Sequence, residues 1–286
     1  MADATETAIT AAERAGVSVL EITELEQLQA ACTLFGDLWR EPSGALPISD
    51  HVLRALQLSG NYVFGAFDAD GELAGASVAW ATPPPEIDLH SHITGVDARR
   101  HRSGTGLALK LHQRAWALER GITGITWTFD PLVRRNAVFN LSRLGAEVVS
   151  YVENVYGQMD DALNAGDESD RLLLRWNLES ERVVAAADGT AFELGGDRPL
   201  ALVAAPDGTP LVELHPADLS EFAVQVPADI ESLRRGDPAA ARRWRAATRE
   251  VLGGALHAGG RVLGLDWAGA FVVATGLRIP TTDGGR

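Results

Sequence analysis

Apolar residues recur every three to four positions through LEQLQAACTLFGDLW, whereas in VSVLEI, NYVFGAF and ELAGASVAWA they alternate or run together. The first spacing predicts an amphipathic helix from about Glu24 to Arg40, and the second set predicts strands. Ser49-Asp50 suit the start of a shorter helix, and DADG joins the last two strands as a hairpin, because Asp-Gly between apolar runs favours a tight turn. IDLHSHITGV reads as a further strand. It is followed by RHRSGTG, a helix from about Thr105 to Arg120 ended by Gly121, and the strand GITWTF. Leu107, Leu111, Ala115 and Leu118 share one face of that helix, as expected of a helix packed on a sheet. Strand, helix and strand in this order predict a parallel pair with a right-handed crossover. Another helix is expected from about Arg134 to Leu144, then strands near Glu147–Tyr156 and Arg171–Leu178 around the polar loop DDALNAGDESD.

After Glu179 the pattern changes to short strands around an Arg-rich helix, which sets a domain boundary. The expected organisation is a flexible leader over 1–16, an α/β domain over 17–179, a smaller α+β domain over 180–279 and a flexible tail over 280–286. Ala223 to Trp267 echoes Leu89 to Trp127 in outline. A degenerate half-repeat and a generic crossover both account for that echo.

A chain of 286 residues can bury ample core. Its formal charge of −14 opposes binding to nucleic acid or to an anionic membrane surface, although a local basic patch can still hold a small anion. No apolar run reaches bilayer-spanning length, and the first residues lack the pattern of a secretion signal, so a cytoplasmic location is expected. Cys32 is the single cysteine, which excludes an internal disulfide and a cysteine zinc cluster. Lys110 is the single lysine.

The stretch RHRSGTG sets Gly104 and Gly106 at a helix start behind basic side chains. A helix start presents unpaired N–H groups and a partial positive charge, and glycines leave the approach open to an anion. A close packing contact is the other account of two glycines. The dinucleotide fingerprint fails, since its third glycine falls on Leu109, and a phosphate-binding Gly-Lys-Ser/Thr loop fails because Lys110 lies a full turn into the helix.

The wider segment VDARRHRSGTGLALKLHQRAWALERGI resembles the acetyl-CoA-binding segment of the GNAT acyltransferase superfamily, in which a strand ending in Val precedes Arg/Gln-x-x-Gly-x-Gly/Ala. WTFDPLVRRNAVFNLSRLGA, YVENVYGQM, VPADI and WRAATRE resemble a subgroup of that superfamily with a C-terminal extension. The resemblance implies an α/β fold with a mixed twisted sheet flanked by helices. It further implies an acyl-CoA co-substrate, acetyl-CoA by default, with no metal. Thr94 and Val96 would flank the acyl-pantetheine arm on a splayed strand, and His101, Arg102, Ser103, Gly104, Thr105 and Gly106 would cradle the diphosphate. His101 departs from the usual Arg or Gln.

The implied reaction moves an acetyl or succinyl group to the amine of a small molecule, amino acids included. A protonated amine needs a base. His92 is the first candidate and His90 the second; strand alternation puts both on one face with Thr94 and Val96. The tyrosine that protonates the departing thiolate in many members is replaced by Leu141, which leaves Tyr156 as candidate, with Tyr151 beside it. Asn136 and Asn140, one helical turn apart, suit amide bonds to the cofactor. Asp130 ends GITWTF where open sheets place ligands. Arg245 and Arg249, on one stripe, suit a substrate carboxylate. A homodimer is one assembly open to the chain. The alternative to an enzyme is a non-catalytic CoA-binding sensor or regulatory module.

Overall fold

The computed structural model describes residues 3–40, 43–85, 87–100, 103–214 and 219–275. Helix α1 (Ala4–Ala15) comes first, then β1 (Ser18–Glu21), α2 (Leu25–Trp39), α3 (Asp50–Leu58), β2 (Tyr62–Phe67), β3 (Leu73–Ala81) and β4 (Leu89–Val96). After it come α4 (Thr105–Leu118), β5 (Gly124–Phe129), and α5 (Arg134–Ala137), which widens into a π-type turn over Val138–Arg143. The first half closes with β6 (Glu147–Val152), the two-residue strands β7 (Gln158–Met159) and β8 (Asp167–Glu168), and β9 (Arg171–Asn177). A seven-stranded sheet runs β1-β2-β3-β4-β5-β9-β6, antiparallel except for the β4–β5 pair. This is the mixed sheet with flanking helices that the sequence leads one to expect.

The leader departs from expectation. Residues 4–15 are helical because Asp3 caps the first turn and Gly16 closes the last in the left-handed conformation. Its small side chains let α1 lie against α4: Ala8 joins the main core, and Ala11, Ala12 and Ala15 border a smaller cluster with Ala108 and Leu109. The expected tail over 280–286 lies outside the described residues.

Beyond β9 lie α6 (Glu181–Ala187), β10 (Leu200–Ala204), β11 (Pro210–Val212), β12 (Glu221–Val224), α7 (Ile230–Gly236) and α8 (Pro238–Thr248). A short α9 (Gly254–His257), β13 (Arg261–Leu265) and β14 (Phe271–Ala274) complete a second sheet ordered β11-β10-β12-β14-β13. Here β14 separates β12 from β13, whereas β4 and β5 pair directly, so the outline echo between the halves does not extend to strand pairing. One hydrophobic core runs through both regions: Trp176 and Leu178 from the first share it with Phe222, Trp244 and Phe271 from the second. Burying side chains of this size contributes roughly 1.5 to 3 kcal/mol each, so the two regions stabilise each other.

Candidate active site

The site starts from a failure of pairing. β4 and β5 are hydrogen-bonded only where Leu89 and His90 face Ile125 and Thr126; beyond that the strands part. A bulge in β4 accompanies the splay: Val78 pairs with Ile93 and the adjacent Ala79 with Ser91, which leaves His92 as the extra residue. One inserted residue reverses side-chain alternation downstream.

That reversal corrects the expectation that His90, His92, Thr94 and Val96 share a face. Thr94 lies toward α4, its hydroxyl 2.8 Å from that of Ser77, which also accepts from Gln113 of α4. Val96 packs with Ala108 and Leu109 on the same side. His90 and His92 lie on the opposite face, their rings 5.5 and 4.8 Å from Trp80. His90 Nδ1 is 3.2 Å from the Thr126 hydroxyl. Desolvation lowers the pKa of both imidazoles below the ordinary value, and for His90 the neighbouring His92 and Lys110 add to that. Both therefore favour the neutral form that accepts a proton.

On the face opposite the histidines, Ser91 points toward α4, where it meets a residue for which the sequence suggested no role. Lys110 Nζ donates to Ser91 Oγ at 3.0 Å and to Gln113 Oε1 at 2.9 Å, and stands 3.9 Å from the centre of the Trp127 ring. None of these partners carries a negative charge, and burial pushes the amine down from 10.5 to about 7. The available signal was its being the only lysine, one turn past Gly106 on the same helix face.

A cavity of about 680 Å³ follows the splay. At one end it reaches Gly104, Thr105, Gly106 and Arg143; its middle is lined by Ser91, His92, Ile93, Lys110 and Trp127; the far end reaches Asn164, Arg171 and Arg234. Gly104 caps α4 with φ at +92°, a conformation that favours glycine, while a Cβ on Gly106 would make only an ordinary 3.7 Å contact with Val96. The first-turn N–H groups of α4 have no partner within the helix, and they begin at this mouth. A second hollow of about 280 Å³, between α1, α4 and α6, also meets Gly104 and Arg143 and includes Ser103. The expected roles of His101 and Arg102 fall outside the described residues. Arg99 and Arg100 are paired locally with Asp97 and Asp68, which reduces the cationic character inferred for this turn.

Asn136 and Asn140 both line the cavity, the first exposed and the second buried. Tyr156 stands outside its wall, half-exposed, with its hydroxyl 3.4 Å from that of Thr128, which is part of the wall. Tyr151 is buried and donates to Asp170 at 2.6 Å; burial first, and then that carboxylate, raises its pKa well above the ordinary phenol range. Leu141 is packed in the core.

The arginine stripe is engaged by the protein's own carboxylates, and Arg242, Arg245 and Arg249 also line a separate hollow of about 420 Å³. Arg245 is 2% exposed and donates through both terminal nitrogens to Asp130, at 2.9 and 2.7 Å, and to Asp167 at 3.0 Å. Arg234 of α7 bonds the same two carboxylates, at 2.5 and 3.0 Å. Arg249 is taken up by Asp170 and Glu168. Asp130 is correspondingly consumed as the centre of an ion cluster joining β5 to α7 and α8, and its carboxyl is held well below the usual range by those guanidinium groups despite burial. Burying unpaired guanidinium groups would be costly, so these cations find their anions inside the molecule.

No family model matches the chain, and no curated protein matches it. Among solved structures it is similar to an N-acetyltransferase from Staphylococcus aureus Mu50 (12% identity, TM-score 0.46, covering 57% of this chain and 99% of that one). It is likewise similar to the ribosomal-protein-S18-alanine N-acetyltransferase of Escherichia coli (17%, 0.45, 57% and 95%). A GNAT-family acetyltransferase from Streptococcus pneumoniae gives 15%, 0.45, 56% and 98%. At these identities and scores the functional argument rests on the site itself. Among the described residues, no helix is long and apolar enough to cross a membrane.

Proposed function

We propose that the protein is an acyl-CoA-dependent N-acyltransferase that moves an acetyl or succinyl group from CoA to the amine of a small molecule. One observation carries the reading: a single cavity joins the glycine-bearing start of α4 to the splay between β4 and β5. The α4 N–H groups with Arg143 suit a diphosphate, Asn136 and Asn140 suit the amides of the pantetheine arm, and the unpaired edge of β4 suits the acyl carbonyl.

The chemistry then divides between the two sheet faces. His92, with His90 behind it, takes the proton from the acceptor amine as its nitrogen forms the new C–N bond. A β4 backbone N–H near Ile93 to Val96 stabilises the oxyanion. The C–S bond breaks with its electron pair on sulfur, and Lys110, on the α4 face, supplies the proton that Leu141 cannot. An ammonium of pKa about 7 can protonate a thiolate whose thiol titrates near ~8.5. His92 returns its proton to water, and Lys110 regains one.

Release of free thiol from acetyl-CoA and succinyl-CoA across a panel of small amines tests the reading; turnover is expected with at least one pair. The departure at Leu141, with Tyr156 outside the cavity, favours a second reading as a CoA-binding sensor. CoA that raises the melting temperature without any thiol release would support the sensor. CoA that leaves it unchanged would remove both readings.

A further inference from the structure

The far end of the cavity holds a cation that the ion cluster leaves poorly matched. Arg171 begins β9, one residue beyond the Phe129–Leu172 pair, and only about a tenth of its side chain is exposed. One terminal nitrogen donates to the Asp170 carbonyl at 2.9 Å and the other meets the Met159 sulfur at 3.2 Å. Its carboxylate contact is Asp130, at 3.9 Å, and that group is already engaged by Arg234 and Arg245 at 2.5 to 2.9 Å. Asp130 and Asp167 therefore face three guanidinium groups. Burial and the nearby Arg245 and Arg234 all disfavour the Arg171 cation, and Asp130 with Tyr156, whose ring centre is 5.6 Å from the guanidinium, offsets this only in part.

The surplus opens into the cavity. Apart from the pairs Arg100–Asp68 and Arg135–Glu231, its wall carries Arg143, Arg171, Arg234 and Lys110 against Asp130, in a chain whose formal charge is −14. Position fits as well. Trp127 faces Lys110 and α4, so its neighbours Thr126 and Thr128 face the other way. Leu173 is paired with Thr128 and has the same parity on β9 as Arg171, which puts Arg171 on the face that bears His90 and His92. β9 lies two strands from β4, about 10 Å away where the strands are paired and farther where β4 and β5 part, a span that an arginine side chain and a short-chain reactant cover together.

We infer that Arg171 anchors a carboxylate of the reactant, at the end of the cavity opposite the diphosphate site. This deepens the acyltransferase reading and rests on it. The carboxylate belongs to an amino-acid acceptor or to the free end of a succinyl group, and the experiment separates the two.

Wild type and Arg171→Met, which keeps length and removes charge, are compared in two arms, with Arg171→Lys as the conservative control. In the first arm acetyl-CoA is paired with amino acids and with their amides; in the second, succinyl-CoA and acetyl-CoA are paired with one neutral amine. An acceptor carboxylate predicts that kcat/KM of Arg171→Met falls about 10- to 100-fold for the acid and under threefold for the amide, mainly through KM. A donor carboxylate predicts the same contrast between succinyl-CoA and acetyl-CoA. Arg171→Lys should recover part of the loss. Equal losses for charged and neutral reactants, or a wild type indifferent to the carboxylate in both arms, would overturn the inference while leaving the acyltransferase reading standing. Should no thiol be released at all, calorimetry with succinate and with free amino acids decides independently: binding by wild type, and not by Arg171→Met, is expected, and no binding to either protein refutes the anchor. If Arg171→Met does not fold, the acid-against-amide and succinyl-against-acetyl contrasts on wild type decide alone.

Discussion

Replacing Lys110 with methionine tests whether the amine is as dry as its surroundings imply. The folded protein holds this group at about 7, whereas an exposed lysine has a value of 10.5. Between those pH values the unfolded chain binds the proton and the folded chain does not, so stability rises with pH through that window. Below about 7 both states are protonated and the whole cost of burying the charge is felt. The shift corresponds to at most about 5 kcal/mol, with a slope no steeper than ~1.4 kcal/mol per pH unit. Methionine removes that cost but leaves Ser91 and Gln113 without their donor, a loss of about 1 to 3 kcal/mol. Lys110→Met is therefore expected to be the more stable protein at pH 6 by about 2 kcal/mol or more, and to lose that advantage by about pH 9. Urea unfolding of both proteins at pH 6, 7, 8 and 9 gives the difference, in which other titrating groups cancel. A difference that stays constant across the series would show that the amine is not desolvated, and Lys110 would then lose its place as proton donor.

Three further outcomes follow from the site. Gly106→Ala should leave CoA affinity within a few-fold, because its Cβ has room beside Val96, whereas Gly106→Glu puts a carboxylate against the diphosphate. Charges ~4 Å apart repel by about 4 kcal/mol near a protein surface, so the CoA-induced thermal shift should vanish; its survival would count against the α4 site. His92→Ala should lower kcat at least tenfold with CoA affinity nearly unchanged, and should flatten the limb of the pH–rate profile that rises below neutrality; an unaltered profile would retire His92 as the base. Asp130→Asn breaks the ion cluster and should cost about 3 to 5 kcal/mol, read as a fall in urea midpoint. Since the folded state depresses the carboxyl of Asp130, its contribution is present above the ordinary carboxylate range and is lost as pH falls through and below it, so wild type and variant should converge in acid.

The first sheet was largely legible because each of its helices and strands carries its own period. RHRSGTG announced the start of α4, and Asp-Gly announced the hairpin. The histidines were misplaced relative to Thr94 because a bulge is one extra residue with no compositional mark: HSHIT reads as regular alternation, and only pairing against β3 reveals that His92 is inserted. The partners of the arginines were hidden for a related reason. Arg245 and Arg249 form a basic stripe in sequence, but their anions come from β5 and from residues 167 to 170, over 70 residues away, and no local pattern carries that information. Lys110 was visible yet uninterpreted, since its altered acidity arises from burial between α4 and strands β4 and β5, which its neighbours in sequence do not reveal. The helicity of α1 was missed because an alanine-rich segment beside acidic residues resembles a solvated end until Asp3 and Gly16 are recognised as its caps.

The Asp130 cluster also limits how the molecule can be dissected. Helix α7 supplies Arg234 and Glu231 to the same hollow that begins at α4, so a fragment ending near Glu179 would keep the glycine mouth and lose one side of the opposite chamber. Asp167 would then be stranded without a counter-ion, Asp130 would keep only the more distant Arg171, and the shared core would be opened. Grafting the latter half onto a relative, or trimming it for crystallisation, would alter what the chamber accepts rather than remove an appendage.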